Sequence, residues 1–77
     1  MNRQDKILEI VRKVAKKDVT PSSDESLFET GILDSFALPD MVGELEQEFG
    51  IKVPDSDLNP RKFDSIERIE QYISARA

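Results

Sequence analysis

Two short stretches hold the side chains whose types and spacing could do chemistry. The first is Asp34-Ser35, within GILDSFALPD (residues 31–40), where a hydroxyl stands beside a carboxylate ahead of an apolar-periodic segment. A nucleophilic serine needs a stronger base within reach, and the chain has no histidine and no cysteine to act in its place. No catalytic residue is therefore assigned. Two roles stay open for the pair. Asp and Ser are favoured where the first N–H groups of a helix lack partners, so the pair can be a cap. The same helix end is positive and suits an anion, so the serine can equally carry a phosphate-linked group.

The second stretch is DSDLNPRKFDSIE (residues 55–67), in which Asp55, Asp57 and Asn59 have the spacing of the first three ligands of a calcium loop. The match ends there. The turn position that requires glycine holds Pro60, and the position of the bidentate glutamate holds Ile66. A capped turn explains the spacing, and no metal site is assigned. Without a thiol or an imidazole, a zinc site of the usual kind is excluded as well.

These residues must be positioned by helices. Ile7, Ile10, Val11 and Val14 recur at helical spacing and predict a first helix from about Gln4 to Lys16, with Asn2 or a neighbour as its cap. Residues 17–34 show no periodicity, yet Val19, Leu27, Phe28, Ile32 and Leu33 are too apolar for a solvated linker. This connection should lie pinned across the bundle, with one turn of helix near DESLF and a bend at Gly31. Leu38, Met41, Val42, Leu45 and Phe49 predict a second helix, started by Asp34 or Ser35 and ended by Gly50 in the left-handed conformation. Pro39 is tolerated in its first turn. NPRKF predicts a short helix with Asn59 as cap, and Asp64 with Glu67 predicts a capping box for a last helix whose inner face is Ile66, Ile69 and Ile73.

The fold class is all-α: a single domain over residues 1–77, a small four-helix bundle of three main helices, one short helix and a long first loop. Its expected centre comprises Val11, Leu27, Phe28, Leu38, Met41, Leu45, Phe49, Phe63, Ile66, Ile69 and Ile73.

The charges are unevenly placed. Residues 1–17 hold six of the eleven bases, whereas residues 18–59 hold eleven acids and only Lys52 as a base. Phosphate binding needs clustered Lys and Arg, so nucleic acid is a poor partner and a basic protein a good one. No segment is apolar for long enough to span a membrane, and the N-terminal residues lack a signal-peptide pattern; a soluble intracellular protein is expected. With the apolar stripe turned inward, the second helix shows Phe36, Asp40, Gly43, Glu44 and Gln47 on its outer face. An exposed aromatic among acids marks a contact surface.

Beyond these physical readings, GILDSFALPDMVGELEQEFGIKVPD (residues 31–55) resembles the central motif of acyl carrier proteins. The basic first helix, long loop and short third helix agree in order, so the resemblance extends over nearly the whole chain. It implies a four-helix carrier with a 4′-phosphopantetheine arm covalently attached through a phosphodiester to Ser35, beside Asp34, so that the reactive thiol arrives with the group. It further implies that acyl or aminoacyl intermediates, as in fatty acid or related biosynthesis, travel as thioesters on a cytoplasmic, monomeric carrier. A phosphopantetheinyl transferase would load the arm, and loading and processing enzymes with basic patches would dock on Phe36, Asp40, Glu44, Gln47, Glu46, Glu48 and Val53. In the family an acyl chain can slip between the helices.

Ala37, Pro39 and Gly43 depart from the fatty-acid-synthesis type, and GILDSF looks closer to specialised carriers, such as D-alanyl or other aminoacyl carriers and some stand-alone modular ones. The competing reading is an unmodified acidic helical adaptor in which Ser35 is only a cap.

Overall fold

The computed structural model describes residues 3–76. It contains α1 (Arg3–Ala15), α2 (Leu38–Phe49) and α3 (Ile66–Arg76), with one 3-10 turn at Asp55–Asp57. The described residues include no strand. The all-α class and the three main helices are as expected, but the fourth element is the 3-10 turn rather than a helix at NPRKF. Residues 60–63 form only a turn, in which Lys62 N–H donates to Asn59 O at 3.3 Å and to Asn59 Oδ1 at 3.2 Å. Asn59 therefore does cap, but the chain must then carry Phe63 into the core, and the turn does not propagate.

Helix α1 packs against both α2 and α3. It buries Ile7, Ile10 and Val11 against Met41 and Leu45 of α2 and Ile69 and Ile73 of α3, all in one apolar cluster. The expected cap at Asn2 lies outside the described residues. At its other end, Lys16 takes a left-handed φ of 57° and Lys17 N–H donates back to Arg12 O at 3.4 Å. This is the six-to-one closure that usually has glycine at the left-handed position.

The connection from 16 to 37 is tied down from both sides. Leu27 and Leu33 are buried, and Leu27 N–H donates to Asp64 O at 2.6 Å. Ser26 Oγ donates to Asp64 Oδ1 at 2.7 Å, and Glu67 N–H donates to Ser23 O at 2.8 Å. A loop carbonyl thus satisfies one of the orphan donors at the start of α3. The side chain that caps α3 is Ser65, whose Oγ accepts Arg68 N–H at 3.2 Å. The expected cap, Asp64, is drawn away by Ser26. The helical turn expected near DESLF is a single turn closed by Thr30 N–H on Ser26 O at 3.2 Å.

Two aromatic residues expected at the centre lie at its edge. Phe49 and Phe28 are only partly buried. Phe49 is the last residue of α2, where the seam with α1 ends, and Phe28 packs from the loop side. The centre is instead completed by Ile7, Leu33 and Ile51.

Candidate functional site at the start of α2

The Asp34-Ser35 pair lies one turn before α2 rather than at its first residue. Asp34 Oδ1 accepts the N–H groups of Phe36 at 3.0 Å and Ala37 at 2.9 Å, and its carbonyl accepts Ala37 N–H at 3.0 Å. Met41 N–H then donates to Ala37 O at 2.9 Å and the helix follows, with Pro39 in its first turn, where a missing N–H costs nothing. The expected cap of α2 at Asp34 or Ser35 is not what forms: the capping position is Ala37, which offers no side-chain bond, and Asp34 instead closes the turn that precedes the helix. Ser35 is exposed, and its hydroxyl has no bond to any described residue. By contrast Ser26, Ser65 and Ser74 each have their Oγ in a side-chain hydrogen bond.

A free hydroxyl at the positive end of a helix, on a turn whose shape is held by its neighbour, is chemically suited to esterification by a phosphate-linked group. Asp34 is hydrogen-bonded to backbone N–H groups, not to Ser35, so nothing here activates the serine as a catalyst.

The outer face leading away from Ser35 is more varied than the residue types alone suggest. Phe36 is 87% exposed and is the one large apolar side chain so placed among the described residues. Asp40 and Gln47 are exposed, and Asp40 makes no bond within the described chain. Glu44 is half-buried and bonds Lys13 Nζ at 3.0 Å; Glu48 pairs with Lys6 Nζ at 3.9 Å. Glu46 has one carboxylate oxygen engaged within the chain, because its Oε2 accepts Val53 N–H at 2.8 Å. Val53 is itself half-buried against the core. These two expected docking residues hold the exit of α2 in place. Gly43 offers the face no side chain, and a Cβ there would meet no atom within 4 Å.

Sequence reasoning missed a second polar centre. Asp57, expected only in a capped turn, is largely buried and accepts hydrogen bonds from Lys62 Nζ (2.6 Å), Tyr72 Oη (2.6 Å) and Arg76 Nη2 (2.7 Å). The hydrogen bonds from Lys62 and then Tyr72, helped by the charges of Lys62 and Arg76, outweigh burial and hold its carboxyl down at about 2. Burial, followed by the Asp57 hydrogen bond, raises Tyr72. Arg76 lies 4.9 Å over the Tyr72 ring, which meets Phe63 at 5.0 Å between centroids. Of the acids with calcium-loop spacing, Asp57 thus has both carboxylate oxygens occupied by donors of the chain itself.

Comparison with known proteins shows the family. Residues 5–73 match the family described as "Phosphopantetheine attachment site". D-alanyl carrier proteins of Streptococcus pyogenes serotypes M5, M49 and M1 are each 32% identical over 73 residues, covering 95% of this chain and 92% of theirs.

Proposed function

This chain belongs to the phosphopantetheine attachment-site family of carrier proteins, and we propose that Ser35 is its attachment point and that its cargo is an aminoacyl or other short acyl group. Members of the family are thioester carriers rather than catalysts, with a 4′-phosphopantetheine group covalently attached to a serine. The group supplies the terminal thiol that a chain without cysteine lacks. The chain's own part is to present it. Asp34 shapes the turn, Ser35 Oγ is left unbonded and exposed, and the dipole of α2 favours the negative charge of a phosphodiester. The observation that carries the assignment is this free hydroxyl beside an engaged acid.

The cargo reading rests on two supports. The relatives are named as D-alanyl carriers, and a short polar group needs no room inside the bundle. A long fatty acyl chain would have to enter between Met41, Leu45 and Ile69, each fully buried in a filled core. Fatty acid synthesis is the second reading, favoured only by the general likeness to acyl carriers. In either case a phosphopantetheinyl transferase installs the group, and loading enzymes meet a monomeric, cytoplasmic carrier at Phe36 and Asp40.

The test is a loading assay. The protein is converted with a phosphopantetheinyl transferase, coenzyme A and magnesium, then offered D-alanine with a D-alanine-activating ligase and ATP. A hydroxylamine-labile alanyl adduct is expected. Loading by a fatty acyl synthetase alone would replace this cargo with the second reading. Phe36→Ala should weaken transfer at every ionic strength, because what it removes is apolar contact area; loss confined to low salt would show that Phe36 is not a contact residue.

A further inference from the structure

The acidic face of α2 is half neutralised from within. Glu44 and Glu48 lie along the route a partner would cover from Ser35, yet both are paired with lysines of α1. Asp40 is the remaining acid of the outer face without a partner in the described chain, and beside it stand an exposed Phe36 and the bare Gly43. Lys6 and Lys13 lie about two turns apart on α1, and Glu44 and Glu48 about one turn apart on α2. The two ion pairs nevertheless set cations against acids along the seam of the helices. A basic partner strip that engages Glu44 or Glu48 must displace a cation already there. A partner that offers an apolar recess for Phe36 and one cation for Asp40 displaces nothing.

We propose that Lys6 and Lys13 are specificity-determining residues: they screen Glu44 and Glu48, so that this carrier selects partners by the Phe36 knob and Asp40 rather than by a long acidic strip. The proposal rests on Ser35 being the attachment point. Its occupant is the mouth of a transferase or loading enzyme with an apolar recess and few cations. Enzymes whose recognition depends on a broad basic patch are disfavoured.

The experiment measures the rate of phosphopantetheine transfer onto the full chain by a basic-patch transferase, from low to high ionic strength. Lys6→Ala/Lys13→Ala is compared with Arg61→Ala/Arg68→Ala, which changes net charge equally but away from α2. The first variant should react faster at low salt, by about 1.5- to 5-fold for each carboxylate released, the range spanned by exposed ion pairs. The gain should vanish at high salt, where charges beyond a few ångströms are screened. The second variant should follow the wild type.

An independent pair of variants needs no change in α1. Glu44→Gln/Glu48→Gln should lose little rate at low salt, whereas Asp40→Asn should lose most of the salt-dependent part. Equal salt dependence in the two lysine and arginine variants, or equal losses in the glutamate and Asp40 variants, would overturn the proposal. Either result would leave attachment at Ser35 intact. Failure of every form to gain the phosphopantetheine mass would instead remove the attachment reading, and this inference with it.

Discussion

The turn bearing Ser35 and the turn bearing Asp57 are both acidic, and both lie outside the long helices, yet they are built in opposite ways. In the first, the acid accepts the N–H groups two and three residues ahead of it, and the adjacent hydroxyl is left bare. In the second, the acid gathers Lys62, Tyr72 and Arg76 from 5, 15 and 19 residues away, and joins the last connection to α3. Local bonds shape a turn without committing its outer atoms to the fold. Long-range bonds fix the relation of two elements and leave no atom to offer. The contrast separates a presenting region, where substitution should alter transfer, from an anchoring region, where it should alter stability.

The anchoring side should give the largest effects on stability. Phe63 is fully buried and packs on Tyr72, so Phe63→Ala should cost about 3–5 kcal/mol in urea denaturation. That is a large share of the stability of so small a domain. A loss below about 1 kcal/mol would mean that this end of the bundle is not anchored as described.

Asp57 comes next, with a signature in pH. Its folded pKa of about 2 lies below its ordinary value of 3.8, so its contribution to stability is complete above pH 3.8. That contribution is lost as pH falls from 3.8 toward 2, because the unfolded chain then binds the proton more readily. Asp57→Asn should lower Tm at neutral pH and flatten the fall in Tm across this acid window. A Tm profile parallel to that of the wild type would show that the three hydrogen bonds do not stabilise the charged form.

Smaller effects belong to the presenting side. Asp34→Ala removes the acceptor of two N–H groups and should cost about 1 kcal/mol, the usual value of a lost cap. Ser35→Ala deletes a hydroxyl that bonds nothing in the described chain and should fall within about 0.5 kcal/mol of the wild type. If Ser35→Ala proved the more damaging of the two, the turn would depend on the serine and the contrast would collapse.

The features that were legible in the sequence are those that depend on near neighbours. The apolar periods of all three helices appear, save that Val14 and Phe49 at their ends are only partly buried, and Gly50 closes α2 with φ 66° and its N–H on Glu46 O. The pinning of the long connection followed from its five large apolar residues. The start of α2 was read too early because Asp and Ser suit a cap, whereas the chain makes a further turn at 34–37 before Ala37 begins the helix. For α3 the sequence favoured Asp64 over Ser65, since nothing nearby shows that Ser26 will engage Asp64.

The Asp57 cluster was hidden for the same reason on a larger scale: its members share no spacing. The lysines that pair with Glu44 and Glu48 are likewise on another helix, so the acids of α2 read as free. The candidate site itself was legible through its serine, and its electrostatic setting was not.

Several serines are exposed with unbonded hydroxyls, but of these Ser35 alone stands on the turn that leads into a long helix, and modification there is what matters most. Its most direct test is peptide mapping by mass after treatment of the wild type and Ser35→Ala with a phosphopantetheinyl transferase, coenzyme A and magnesium, with circular dichroism on both. One phosphopantetheine is expected on the peptide containing Ser35 and none on the variant, with matching helical spectra and melting curves. A phosphopantetheine adduct on Ser35→Ala, or on another exposed serine such as Ser22 or Ser56 of the wild type, would contradict this assignment.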